Sequence, residues 1–146
     1  MSKKKRIRPL AICVFRHNDS ILVAEGYDQV KDQYFYRPLG GGIEFEEPSA
    51  ETICRELMEE INVEVDRESL KYLGAVENIF YFNGKPGHEI VLVYDGQLKD
   101  ARLYDQAIIT GREADGEEIR AMWKRIDEFG AGKSILYPTG IVELLA

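Results

Sequence analysis

Cysteine, histidine and tryptophan are scarce in this chain: two, two and one among 146 residues. Cys13 and Cys54 lie in apolar surroundings with no second Cys or His at ligand spacing, so neither a disulfide framework nor a zinc site is expected. Both read as inert core residues. Five prolines and 13 glycines are too few for a collagen-like or low-complexity chain. No run of eighteen apolar residues occurs, so no membrane-spanning helix and no membrane partner are expected. Beyond Lys3, Lys4, Lys5 and Arg6 there is no basic stripe, which argues against a nucleic-acid partner. That short run leads into a strand-like stretch rather than the apolar segment and cleavage site of a secretory leader, so a reducing, cytoplasmic setting is the expectation.

What the chain has is a core and an uneven distribution of charge. With 45% hydrophobic residues it can fill one core, and a single domain over residues 1–146 is expected. The net charge of −7 arises in one place. Residues 41–64 hold Glu44, Glu46, Glu47, Glu51, Glu56, Glu59, Glu60 and Glu64 against Arg55 alone, and the rest of the chain is neutral. A neutral domain with one carboxylate-rich segment raises the question of what neutralises that segment.

Two apolar runs, Arg8 to Arg16 and Ile21 to Ala24, flank the turn residues Asn18 and Asp19 and predict a hairpin. Tyr34, Phe35 and Tyr36 predict another strand, stopped by Pro38 and by Gly40, Gly41 and Gly42. A helix follows. Pro48 suits its first turn, Ala50, Ile53, Cys54, Leu57 and Ile61 recur at helical spacing, and Asn62 tolerates the left-handed conformation that ends a helix. Leu70 to Phe82 and Glu89 to Leu98 predict a second hairpin around a turn at residues 83–87. Thr110 to Glu118 reads as a surface loop, Ile119 to Ile126 as a last strand, and Ile141, Val142, Leu144 and Leu145 as a terminal helix after Pro138. The outcome is a mixed sheet with about two main helices.

At about 100° per residue, the apolar residues of the central helix form one stripe, while Glu59, Glu56 and Glu60 fall at roughly 180°, 240° and 280° from Ala50. Glu56 and Glu60 are i,i+4 neighbours, a like-charge pairing that costs about 0.2–0.5 kcal/mol in an isolated helix. A solvated acidic face is one reading. The loop before the helix supports another: Gly40, Gly41 and Gly42 allow close backbone bending, and Glu44 and Glu47 add carboxylates at the helix entrance. Clustered hard oxygen ligands suit magnesium or manganese completed by substrate phosphates.

Gly41, five residues, Glu47, seven residues, then Arg55, Glu56, Leu57, Glu59, Glu60, Asn62 and Val63 resemble the Nudix box. Eight of its nine specified positions match, the departure being Asn62 where glycine is usual. Leu39 and Glu46 also differ from the proline and glycine common nearby. The resemblance implies a Nudix α/β/α sandwich: an α/β fold with a mixed sheet, the box loop and helix, and a C-terminal helix. It implies hydrolysis of the pyrophosphate linkage in a small-molecule nucleoside diphosphate derivative, with Mg²⁺ or Mn²⁺. Glu56, Glu59 and Glu60, with the Gly40 carbonyl, would be metal ligands, and Arg55 would orient Glu47 or Glu56 or contact phosphate. The base would be Glu56 or a later-loop acid, Glu117 or Glu118. Arg37, Tyr36 and Tyr81 are candidate substrate contacts, although core packing is the commoner fate of strand tyrosines. The family resemblance also makes a homodimer an expectation. A non-catalytic nucleotide-binding sensor built on the same scaffold is the alternative.

Overall fold

The central strand shows why the apolar run near the N-terminus is continuous rather than alternating. In the computed structural model, which describes residues 5–113 and 115–145, β1 (Arg8–His17) is buried from Leu10 to Phe15. It runs parallel to β5 (Lys85–Leu98) on one side and antiparallel to β3 (Gln33–Gly42) on the other. Both of its faces are covered, and a strand covered on both faces carries apolar residues at every position. The sheet has seven strands in the order β4-β5-β1-β3-β2-β7-β6, with β2 Ser20–Asp28, β4 Val65–Phe82, β6 Ile108–Arg112 and β7 Glu118–Arg125.

One face packs on α1 (Ser49–Ile61): Ala11, Cys13, Phe15, Leu22 and Leu39 meet Ile53, Leu57 and Ile61. The opposite face gathers Leu10, Ile12, Val14, Val23 and Tyr36 under α2 (Ile126–Gly130) and α3 (Ile141–Leu144), through Phe129 and Ile141. The layers are those of the expected α/β/α sandwich. The second helical layer is thin, because the expected terminal helix is only four residues long.

Several expectations are corrected. β3 does not stop at Pro38 but continues through all three glycines. Its first half pairs with β2 as far as Pro38 and its second half pairs with β1 from Leu39. Pro38 stands at that changeover, where a residue without an N–H fits within a sheet. The turn after β4 is two residues, Asn83 and Gly84, both at positive φ, rather than five. Residues 110–118 are not all loop: β6 extends to Arg112, and a 3-10 turn at Ala101–Asp105 precedes it. β6 is short and lies at the sheet edge, with only Ile109 of its five residues buried, so it carries no clear alternation.

The tips of two hairpins are tied together. The buried Asp28 carboxylate accepts hydrogen bonds from the amides of Val30 and Lys31, both at 3.0 Å, and of Asn83 at 3.3 Å. The Asn83 side chain accepts one from Gln29 N–H at 2.8 Å. Lys31 Nζ donates to the Tyr81 carbonyl at 2.8 Å.

α1 ends as its sequence predicts. Asn62 adopts φ 55° and ψ 43°, and its N–H caps the carbonyls of Leu57 and Met58. Asn62→Ala should cost about 1 kcal/mol, since a Cβ disfavours the left-handed region. Asn62→Gly should stay within about 0.5 kcal/mol of the parent in urea unfolding.

Candidate active site

The acidic site forms where β3, α1 and β6 converge. Alternation along β3 sends Tyr36 to one face and Arg37, Leu39 and Gly41 to the α1 face. At Gly41 a Cβ would lie 2.6 and 2.7 Å from the two Glu56 carboxylate oxygens, so only glycine leaves room for that carboxylate against the strand. At Gly111 in β6 a Cβ would lie 2.8 Å from the Glu60 carbonyl carbon and from Ile61 Cγ2. These two glycines let the last turns of α1 nest between β3 and β6. Gly40, at φ 153°, pairs with Ile12 of β1 and would bring a Cβ within 2.7 Å of that residue's Cα.

Arg55 is the hub of the loop-to-helix junction. Its Nε donates to Glu47 Oε2 at 2.7 Å and its Nη2 to Glu47 Oε1 at 3.0 Å, a bidentate pair. Nη2 also donates to the Gly42 carbonyl at 3.0 Å, while Nη1 reaches Glu56 at 2.9 Å and Glu59 at 3.2 Å. These contacts tie the Glu47 and Glu56 carboxylates to one guanidinium. Glu47 also accepts from Thr52 Oγ1 at 2.6 Å and from the Glu44 amide at 3.2 Å. The Arg55 guanidinium, aided by the Thr52 hydroxyl, pulls the Glu47 carboxyl down to about 2. The same carboxylates hold the Arg55 proton more tightly than in water.

Glu60 lies on the other side of Glu56. Burial, then a hydrogen bond with Glu56 and the charges of Glu56 and Glu113, push its carboxyl up to about 9. Arg37 works against that rise. Glu113 is itself raised, chiefly by desolvation, then by Asp115 and Glu117, and it too feels Arg37 and Glu56. The structure therefore gathers Glu56, Glu60, Arg37 and Glu113. Glu59 turns toward Arg55 instead.

Glu113 was not among the candidates. It lies two residues beyond Gly111, on the α1-facing side of that strand direction, and this alternation was the only signal for it. Glu118, proposed as a later-loop acid, stands exposed at the start of β7 opposite Arg112. Glu117 belongs with Glu113 and Asp115 to a group whose carboxylate oxygens lie within 4.8 Å of one another, all exposed. Tyr36 is a correction: it is 9% exposed in the opposite core. Its hydroxyl donates to Glu25 at 3.1 Å, and Lys124 sits 4.4 Å from its ring. Tyr81 stands opposite Pro86 near the β4–β5 tip, beside Lys31 rather than the helix carboxylates.

The seat at Gly41 is directly testable. Gly41→Ala should displace the Glu56 carboxylate, the free end of a flexible side chain, at a cost of about 1 kcal/mol, the hydrogen bond from Arg55 being what is lost. Gly42→Ala, whose Cβ would meet nothing nearer than Arg8 at 3.7 Å, should be close to neutral in thermal unfolding. Because the Glu47 carboxyl is held at about 2 against an ordinary 4.5, its stabilisation is complete above pH 4.5 and disappears as pH falls toward 2. The stability gap between the parent and Glu47→Gln should narrow across that window in an acid titration followed by circular dichroism.

The comparisons agree with this geometry. A NUDIX domain model matches residues 5–139. No curated protein matches this chain. Among solved structures, a MutT NUDIX hydrolase from Burkholderia pseudomallei superposes with TM-score 0.67 at 20% identity, covering 97% of this chain and 100% of its own. A NUDIX hydrolase from Nitrosomonas europaea gives TM-score 0.64 at 15% identity, covering 96% and 86%. An ADP compounds hydrolase gives 0.56 at 16%, covering 88% and 64%. With the box residues placed on the loop and helix they require, and the family model spanning nearly the whole chain, this protein belongs to the NUDIX hydrolase family.

Proposed function

We propose that this hydrolase cleaves the pyrophosphate linkage of a small nucleoside diphosphate derivative in a reaction that depends on Mg²⁺ or Mn²⁺. The observation that carries the reading is the seating of Glu56 on Gly41 beside Glu60, with Glu113 and Arg37 facing the pair. Carboxylates this close repel, and a pyrophosphate would be repelled in turn unless a dication reverses the local charge.

The donor set fits such an ion. It offers hard carboxylate oxygens from Glu56 and Glu60, with Glu113 across from them and Glu59 exposed on the same helix. The Gly40 carbonyl is the further ligand that the family resemblance implies. A bound dication would supply charge neutralisation for the phosphates and acidify a coordinated water.

The chain's own residues then have distinct tasks. Arg55 fixes Glu47 and one oxygen of Glu56, so Glu56 presents its other oxygen in a set direction. Arg37, whose charge reaches both Glu60 and Glu113, would meet a phosphate oxygen beside them. In hydrolysis, water oxygen bonds to phosphorus, the bridging P–O bond breaks, and the water proton passes to a carboxylate. Glu56 and Glu113 are the two acceptors that the geometry favours, Glu113 replacing Glu118 as the later acid.

Glu60→Gln should lower turnover at least about a hundredfold, since loss even of a ligand's supporting partner costs 10–100-fold. Product-mass screening over nucleoside triphosphates, nucleotide sugars and dinucleoside polyphosphates, with each metal, measures this; turnover equal to the parent's refutes the assignment. With the Glu60 carboxyl at about 9, metal binding below that pH must displace a proton. Calorimetry of Mg²⁺ binding in buffers of different ionisation enthalpy should therefore show proton release at pH 7, and tighter binding as pH rises toward 9.

A further inference from the structure

Outside the acidic site, an open cavity of about 330 Å³ lies where the β1–β2 turn meets the 3-10 turn at Ala101–Asp105. That is near the lower end of the volumes that hold a small ligand. Three rings share its wall. His17 closes β1, Trp123 lies in β7 opposite Leu22 of β2, and Tyr104 comes from the 3-10 turn. The Tyr104 and Trp123 rings stack, with centroids 5.3 Å apart and planes 28° from parallel. The His17 ring stands across them at 5.2 and 6.0 Å, tilted by 54° and 63°, so the three form a corner.

The polar tips of the two larger rings are engaged within the protein. Tyr104 Oη accepts from the Leu98 amide at 2.9 Å, and Trp123 Nε1 donates to the Leu103 carbonyl at 3.3 Å. What these rings offer a ligand is π surface, whose negative face attracts a cation within about 6 Å of the ring centroid. The rim agrees in sign. Asp105 is exposed and forms no ion pair with any described residue, and among the described residues no Lys or Arg lines the cavity. Gln106 donates its Nε2 to the Ile108 carbonyl at 3.0 Å, which leaves its Oε1 as an acceptor. A wall of π surface and oxygen with no basic side chain disfavours phosphate and favours an organic cation.

We propose that this corner binds a small quaternary ammonium ion, its methyl groups against the His17, Tyr104 and Trp123 rings and its charge balanced by Asp105. The rings select for methylation. An unmethylated ammonium is compact and strongly hydrated, and π faces replace its water poorly, whereas a quaternary ion spreads its charge over methyl groups that rings can contact. The site is independent of the hydrolytic reading, since no residue that lines it belongs to the acidic site.

Trp123 is the one tryptophan of the chain, so its fluorescence reports on this site alone. Choline chloride titrated into the full chain should change that emission saturably, with half-saturation at about 10 mM. Sodium chloride at equal ionic strength should not, and neither should the neutral carbon analogue of choline, in which a tert-butyl group replaces the trimethylammonium. Asp105→Asn, at an exposed position, should raise the half-saturation about threefold with circular dichroism unchanged. His17→Leu, which keeps an apolar group but removes a ring, should raise it by about as much. No saturable change up to about 100 mM choline overturns the proposal. So does an equal response to the neutral analogue, or a half-saturation that neither substitution moves.

Discussion

Arg55 is the one cation among eight glutamates in residues 41–64, and the site takes its shape from how that charge is shared. Its guanidinium spans loop and helix at once, holding Glu47 by two bonds, the Gly42 carbonyl by one, and Glu56 and Glu59 by one each. Two unit charges 4 Å apart interact by about 4 kcal/mol at the effective dielectric of a protein surface. Mutual repulsion of that order would spread the carboxylates if the guanidinium did not sit between them. Glu60, outside its reach, holds its proton to higher pH, chiefly because it is buried and then because Glu56 and Glu113 lie beside it.

Electrostatics decides which groups are attracted, but glycine decides how near the backbones come. Gly41 gives Glu56 a place against β3, and Gly111 lets β6 press on the end of α1. Without the second contact Glu113 would be one more acid on a surface turn. With it, a short and mostly exposed edge strand delivers a carboxylate to the helix.

The helix and its C-cap were legible because their signals are local: the apolar stripe of Ile53, Leu57 and Ile61, and the turn chemistry of Asn62. The first hairpin was legible for the same reason, with Asn18 and Asp19 both at positive φ. β3 was misread at Pro38 because proline marks the end of a strand only when the partner stays the same, and the exchange of β2 for β1 is invisible in one sequence. β6 was missed because edge strands need not alternate. For Tyr36, nothing in the strand's own sequence tells which of its faces meets α1, and the tyrosine lies in the other core. Glu113 required knowing that Gly111 touches Glu60, a contact between residues far apart in the chain.

The clasp between the hairpin tips has a consequence for how the molecule comes apart. β2 and β4 lie four places apart in the sheet order, yet Asp28 and Asn83 join their ends by hydrogen bonds in both directions. Fraying of either hairpin must release the buried Asp28 carboxylate from its amide donors, so neither tip can loosen alone. The two wings of the sheet are in this way coupled into one cooperative unit, and amide protons at both tips should share a common opening event rather than exchange as independent loop ends.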